Sequence, residues 1–491
     1  MSRARSFFAL AVFAAACRPS VSPTPASIST GSRAELRAFI DSMADAPEFS
    51  NAHWGILIVD PSRGDTLYSR NAGKLFMPAS NMKIPTTATA LTQLGPNYRY
   101  KTTFAARGTI SNGTLDGDLL VIGRGDPSVS DHMFKDAMIP LRSITDSIAA
   151  RGIKRITGRV LPYGDAFPGD VFGYGWTYSD FEDSYSAPID ELLFNEGFGE
   201  IHIRGAAQAG QAAAITTRPA KFTVRGSVMT VDRRGGDSTR TTRVRSQKDS
   251  TNWQEVVSGQ IGVGDTATIE VTHHDPDRAY VSAMTEALIA RGIEVDDNTE
   301  SSPGGRVDTL ATLSSPPLSE ILKALLKPSQ NQLAEMVFRT IALEKYAAGR
   351  PDSAAVAVGA QLAQWNVPTN EAVIRDGSGL SRYDYITPRT LVRILDAMRK
   401  SPNFKVYYDA LPIAGVDGTI RNRMKGTPAE NNVHAKTGSV ALSRSLSGYV
   451  TTADGQMLIF SYLSNNWTVP TRNVERVQDA ISARLAGMRL R

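Results

Sequence analysis

The chain has 491 residues, 41% of them hydrophobic and 21% charged, which is ordinary globular composition, long enough for two or three cores, and argues against a disordered or fibrous chain. Its formal charge is +5; Arg3 and Arg5 supply two of these charges, and the +3 left without them is too small to point to nucleic acid as a partner. Cys17 is the only cysteine, so no internal disulfide can form.

Arg3 and Arg5 precede an apolar run from Phe7 to Ala16, the length of a signal-peptide core and too short to span a bilayer as a helix. Export is predicted, with residues 1–17 as the leader and a periplasmic or cell-envelope location. The run ends Ala14-Ala15-Ala16-Cys17. A lone cysteine there resembles the lipidated cysteine of bacterial lipoproteins, while the three alanines also fit ordinary cleavage, so a lipid anchor at Cys17 stays open. Residues 18–32, with Pro19, Pro23 and Pro25 among Ser and Thr, suit an extended tether.

Leu36, Phe39, Ile40 and Met43 repeat at helical spacing and predict an amphipathic helix. Two strands follow, 54–59 and 66–69, flanking a turn with Pro61 and Gly64. From Tyr98 to Thr272 the pattern is one of short strands broken by Gly and Asp, among them 119–122, 158–161, 201–204 and 268–272. Two predicted helices end alike, in Ala150-Arg151-Gly152-Ile153 and Ala290-Arg291-Gly292-Ile293, each with Gly where a left-handed cap is wanted; this is one capping solution used twice. Near the C-terminus, strands 445–451 and 457–463 flank Ala453-Asp454-Gly455, and Val474, Val477, Ile481 and Leu485 mark a last helix. Helices and hairpins of one kind at both ends predict an antiparallel sheet built from the two termini and covered by helices. The expected domains are therefore 33–97 with 273–491 as one body, and 98–272 as a β-rich insertion.

Three polar clusters carry chemistry. In Met77-Pro78-Ala79-Ser80-Asn81-Met82-Lys83 a helix begins at Pro78. Ser80 and Lys83 then share a face, so a lysine amine reaches a serine hydroxyl near a helix start, where the field favours negative charge. Alone this says little, because Ser and Lys three apart arise by chance about once in a chain this long. Ser329-Gln330-Asn331 follows Pro328 in a turn between apolar helices, where it aims a hydroxyl and an amide into a cleft or merely caps a helix. Lys436-Thr437-Gly438-Ser439 precedes the C-terminal hairpin and is expected on a strand, with Gly438 leaving room for a substrate backbone.

Ser-x-x-Lys, Ser-x-Asn and Lys-Thr-Gly in this order form the set known for β-lactamases and penicillin-binding proteins. Ser80 and Ser329 stand far enough apart to hold the whole insertion. With Asp376 to Arg382, Leu411 to Thr419 and Gly123 to Pro127, the chain resembles the D-alanyl-D-alanine carboxypeptidase/endopeptidase family, low-molecular-mass class C penicillin-binding proteins with a large insertion, over nearly everything after the tether.

The resemblance implies an α+β fold with a penicillin-binding, serine β-lactamase-like transpeptidase domain. It also implies hydrolysis of peptidoglycan stem peptides ending in D-Ala-D-Ala through an acyl-serine, with β-lactams as inhibitors. On the family pattern Ser80 is the nucleophile, Lys83 takes its proton and Ser329 passes a proton to the leaving D-alanine. Asn331 holds Lys83 or the peptide, Lys436 and Thr437 bind the terminal carboxylate, and the N–H groups of Ser80 and Ser439 form the oxyanion hole. The family pattern often has Asp or Asn where Gln330 stands. Asp180, in Trp176-Thr177-Tyr178-Ser179-Asp180, matches an acid that meets the free amine of diaminopimelate; it also reads as a loop acid. His273-His274-Asp275 has no partner motif at ligand spacing and is read as a surface turn. His434 shares a strand face with Lys436 and is read as structural. No cofactor and no metal are expected. A β-lactamase and a wall-binding scaffold without activity are the competing readings.

Overall fold

The computed structural model describes residues 32–181, 183–233, 242–249, 254–299 and 306–490; the leader, Cys17 and the tether up to residue 31 lie outside them. Five antiparallel strands run in the spatial order His434–Val440, Ser443–Thr451, Met457–Asn465, His53–Asp60 and Asp65–Arg70. His53 pairs with Asn465 and Val59 with Ile459, which joins the hairpins of the two chain ends into one sheet. Alternate residues serve opposite cores, as the two-residue strand period requires. Ile56 and Ile58 pack beneath helices Arg33–Ala44 and Thr471–Gly487, with Leu36, Ile40, Val474, Val477, Ile481 and Leu485. Leu57 faces the other core, beneath helices Lys83–Gln93, Leu318–Leu326, Asn331–Tyr346 and Pro388–Lys400. A reciprocal capping box between Ser32 and Glu35 starts the first helix.

Two further bodies make up the insertion. Strands Lys101–Ser111, Thr114–Ile122, Arg155–Ile156, Val160–Pro162, Glu294–Val295 and Val307–Ser314 form one sheet. Helices Met138–Ala150 and Pro276–Ala290 bury Leu141, Ile144, Ile148, Tyr280, Met284 and Leu288 in the core of that sheet. The two glycine-capped helix ends predicted from sequence sit here, Gly152 at φ +82 and Gly292 at φ +86. Each feeds a short strand, and the two strands pair in parallel, Arg155 opposite Glu294. Two three-stranded sheets, Phe198–Arg204 with Ala214–Arg218 and Thr266–Thr272, and Val224–Val231 with Arg243–Asp249 and Gln254–Gly262, share a smaller core of Ile201, Ile203, Val228, Val257, Ile261 and Val271.

The predicted return at residue 273 is thereby corrected. Helix Pro276–Ala290 and strand Val307–Ser314 pack with the insertion, and the chain comes back at Ser315, whose hydroxyl accepts from Tyr100 N at 2.9 Å. An amphipathic stripe says that a helix covers a core but not which one.

Candidate active site

Residues Ala79–Met82 form a 3-10 turn that runs into helix Lys83–Gln93. The sequence alone suggests a single helix from Pro78; the tighter first turn matters, because residues three apart eclipse in 3-10 geometry. Lys83 Nζ therefore donates to Ser80 Oγ at 2.9 Å. Ala79, just before the serine, has φ +48, a conformation costing a residue with a Cβ about 1–2 kcal/mol. The sheet holds it there. Ser443 Oγ donates to Met77 O and Ser445 Oγ to Pro78 O, each at 2.7 Å, and Gly379 lies so near Ala79 O that no side chain would fit at that position.

Lys83 is fully buried. Its amine also donates to Asn331 Oδ1 at 2.7 Å and to Ser378 O at 2.8 Å. Burial pushes the amine down to about 7, with the Asp376 and Glu335 carboxylates pulling it partly back. An amine poised near neutral pH accepts a proton readily, and in its neutral form the direction of the contact reverses, Ser80 Oγ–H donating to Nζ.

Ser329 sits at φ +70 between helices Leu318–Leu326 and Asn331–Tyr346. Lys436 Nζ donates to Ser329 Oγ and to Thr437 O, both at 2.8 Å. Lys436 is buried too, and burial first, then the charges of Lys83 and Arg444, hold it well below the ordinary amine range. Asn81 Nδ2 donates to Lys436 O at 2.8 Å, tying the serine turn to the strand. Strand His434–Val440 lies at the sheet edge. A Cβ on Gly438 would come within 2.9 Å of Ser80 N, so glycine is what lets this strand lie against the nucleophile's amide. Thr437 is buried and donates from Oγ1 to Thr419 Oγ1 at 2.7 Å, whereas Ser439 is exposed.

Ser80, Lys83 and Asn331 are thus linked by direct hydrogen bonds, Ser329 and Lys436 form a second linked pair, Asn81 joins the serine turn to the Lys436 carbonyl, and Thr437, Gly438 and Ser439 follow on the edge strand. Asp180 is nearly buried rather than an exposed loop acid. It stands 3.8 Å from Arg382 Nη2, and its Oδ2 accepts no hydrogen bond among the described residues. His434 is structural: its ring stacks on Tyr408 at 3.8 Å. His273 packs edge-on against Phe222, and Asp275 caps helix Pro276–Ala290.

Several partners escape sequence reasoning. Ser378 reaches Lys83 through its carbonyl and Tyr185 reaches Asn331 Nδ2 through its own, at 2.8 Å; backbone groups carry no side-chain signature. Glu335 accepts from Gly377 N at 3.0 Å and Ser378 N at 2.7 Å, which shapes the loop that presents the Ser378 carbonyl. Its one signal is a carboxylate within the apolar pattern of Leu333, Met336 and Val337. Lys327 clamps Asp417 at 2.7 Å and the Leu411 carbonyl at 2.6 Å, which fastens the 411–419 segment beside Ser329.

Comparison with known proteins gives the family and the fold. A D-alanyl-D-alanine carboxypeptidase of an Actinomadura species is 33% identical over 483 residues, 95% of this chain and 87% of that protein. One from Haemophilus influenzae is 26% identical, covering 86% of this chain and 87% of its own. The crystal structure of penicillin-binding protein 4 from H. influenzae superposes with a TM-score of 0.75 at 23% identity, over 90% of this chain and 98% of that one. Residues 36–488 match the D-Ala-D-Ala carboxypeptidase 3 (S13) family, and the chain belongs to that family.

Proposed function

We infer that this protein is a serine D-Ala-D-Ala carboxypeptidase acting on peptidoglycan peptides. The observation that carries the reading is a fully buried lysine, depressed to about 7, hydrogen-bonded to a serine at 2.9 Å. Neutral Lys83 takes the Ser80 proton as Oγ attacks the carbonyl between the two terminal D-alanines. The N–H groups of Ser80 and Ser439 receive the negative charge that develops on the carbonyl oxygen. The peptide C–N bond breaks as the Ser329 hydroxyl hands a proton to the leaving amine and takes one from the Lys436 ammonium; water then attacks the acyl-serine, its proton passing through Ser329 to Lys436, and Lys83 returns its proton to Ser80 Oγ as the ester bond breaks. Asn331 orients Lys83.

Lys436 and Thr437 receive the terminal carboxylate. A carboxylate beside Lys436 favours the ammonium and so opposes the effect of burial, which links substrate binding to protonation of that lysine. Asp180, with a buried oxygen that accepts no hydrogen bond among the described residues, is the acid that meets the amine of a diaminopimelate side chain. β-Lactams, one of which is bound in a crystal structure of the H. influenzae protein, acylate Ser80.

The catalytic domain comprises 33–97 and 315–490, with the insertion between. Among the described residues no helix is long and apolar enough to cross a membrane. A wall substrate agrees with the predicted leader, an exported, periplasmic enzyme and a lipid anchor at Cys17. Incubation with a D-Ala-D-Ala pentapeptide and with a crosslinked muropeptide dimer tests the activity. D-alanine release is expected from the first, and cleavage of the second adds endopeptidase action. Rapid penicillin turnover without D-alanine release would make the protein a β-lactamase instead.

The pH profile follows from Lys83. Its folded pKa is depressed and its neutral form is the active one, so kcat/KM, which reports the free enzyme, is expected to fall as pH drops below about 7. Glu335 raises the Lys83 pKa. Glu335→Gln is therefore expected to move this acid limb to lower pH by about 0.3–1 unit. A wild-type rate that stays flat down to pH 5 would contradict the assignment.

A further inference from the structure

The middle residue of the second cluster turns away from the cleft and ends on the insertion. Gln330 Oε1 accepts from Gln332 N at 3.0 Å, capping helix Asn331–Tyr346, and Gln330 Nε2 donates to Glu196 Oε2 at 3.1 Å. Glu196 is 1% exposed. The same Oε2 lies 2.8 Å from His132 Nδ1, and Oε1 accepts from the Ser130 hydroxyl. Both Asn195 and Glu196 are left-handed, at φ +47 and +57. Residues with a Cβ persist there only where the surroundings over-determine them, and such residues cluster at functional sites. Here the surroundings are explicit: Asn195 N donates to Val129 O at 2.8 Å, Asp131 N to Asn195 Oδ1 at 3.0 Å, and Asn195 Nδ2 to Phe198 O at 2.9 Å. Across the contact, Ser329 is left-handed as well. Two disfavoured turns, one from each body, meet through a single carboxylate–amide hydrogen bond.

We propose that Glu196 is a positioning residue for the hydrolytic reaction: its buried carboxylate, carried by the insertion, fixes Gln330 and so sets the Ser329 hydroxyl against Lys436 and the Asn331 amide against Lys83. The proposal rests on the roles given above to Ser329 and Asn331. Both flank Gln330 directly, so a backbone shift at Gln330 once its side chain loses this anchor moves both. With Glu196 gone, Ser329 is free to relax towards right-handed backbone. The 2.8 Å contact with Lys436 then lengthens, and proton delivery to the leaving amine slows. The terminal carboxylate still finds Lys436 and Thr437 on the edge strand. The loss therefore falls on kcat rather than on KM.

The experiment uses the full chain and compares Glu196→Ala, Gln330→Ala, their double variant, Gln330→Glu, and the exchange pair Glu196→Gln with Gln330→Glu. Each is assayed for kcat and KM of D-alanine release, for thermal stability and for penicillin labelling. Glu196→Ala and Gln330→Ala are each expected to lower kcat about 10–100-fold with KM within about 3-fold, and the double variant to be no slower than either. Gln330→Glu sets two carboxylates against each other and is expected to be the slowest. The exchange pair restores an amide–carboxylate contact and is expected to recover most of the lost kcat, which a role confined to holding the fold together would not produce. Wild-type kcat in Glu196→Ala, or an exchange pair as slow as Gln330→Glu alone, overturns the proposal. Wild-type protein that releases no D-alanine and takes no penicillin overturns the activity itself, a distinguishable result.

Discussion

Lys83→Gln is expected to slow acylation of Ser80 by about 10²–10⁴-fold, the range that a positioned general base supplies. The amine touches three oxygens at once, Ser80 Oγ, Asn331 Oδ1 and Ser378 O. A glutamine amide donates to such oxygens but offers no base that takes a proton at neutral pH. The fold should survive, because the replacement is polar, shorter than lysine and able to keep part of this network, and because burial already works against the charged form of the wild-type side chain. Stopped-flow acylation by a fluorescent penicillin, read beside the thermal midpoint, separates the two effects. An unchanged midpoint with an unchanged rate would mean that Lys83 is not the proton acceptor.

Gly438→Ala is expected to cost about 10²–10³-fold in kcat, the loss that follows removal of one oxyanion donor. The added methyl would stand 2.5 Å from Pro78 O and 2.9 Å from Ser80 N, and would also overlap Ser445 Oγ. Two of these neighbours are backbone atoms in the turn that holds Ala79 at positive φ, so they yield less readily than the end of a flexible side chain. The strand moves outward instead, carrying the Ser439 N–H away from Ser80. Substrate affinity should change less than turnover, since Lys436 and Thr437 precede the displaced residue. An alanine variant with wild-type kcat would place the oxyanion donors elsewhere.

What sequence discloses here follows from the range of each interaction. Ser80 and Lys83 are three residues apart on one helical turn, so their contact needs no tertiary information. The terminal hairpins announce themselves through Pro61, Gly64 and Gly455, and a two-residue alternation of apolar side chains sends Ile56 and Leu57 into different cores. The order of the three clusters then points to the cleft, although no local rule brings Asn331 to Lys83 across 248 positions. Contacts made by backbone carbonyls, such as Ser378 to Lys83, leave no trace in residue identity. The Glu196–Gln330 bond spans 134 positions and joins two bodies, and on its own each residue reads as an ordinary polar side chain. The end of the insertion is hidden for a related reason: helix Pro276–Ala290 shows an apolar face, and only the packing of Tyr280, Met284 and Leu288 says which sheet it covers.

The account depends most on a covalent bond forming at one hydroxyl. Intact-protein mass spectrometry after brief exposure to benzylpenicillin, followed by peptide mapping, tests it directly. The prediction is one penicilloyl adduct per chain, on Ser80, absent from Ser80→Ala together with D-alanine release. An adduct mapped to another residue, or D-alanine released by Ser80→Ala at the wild-type rate, would contradict it.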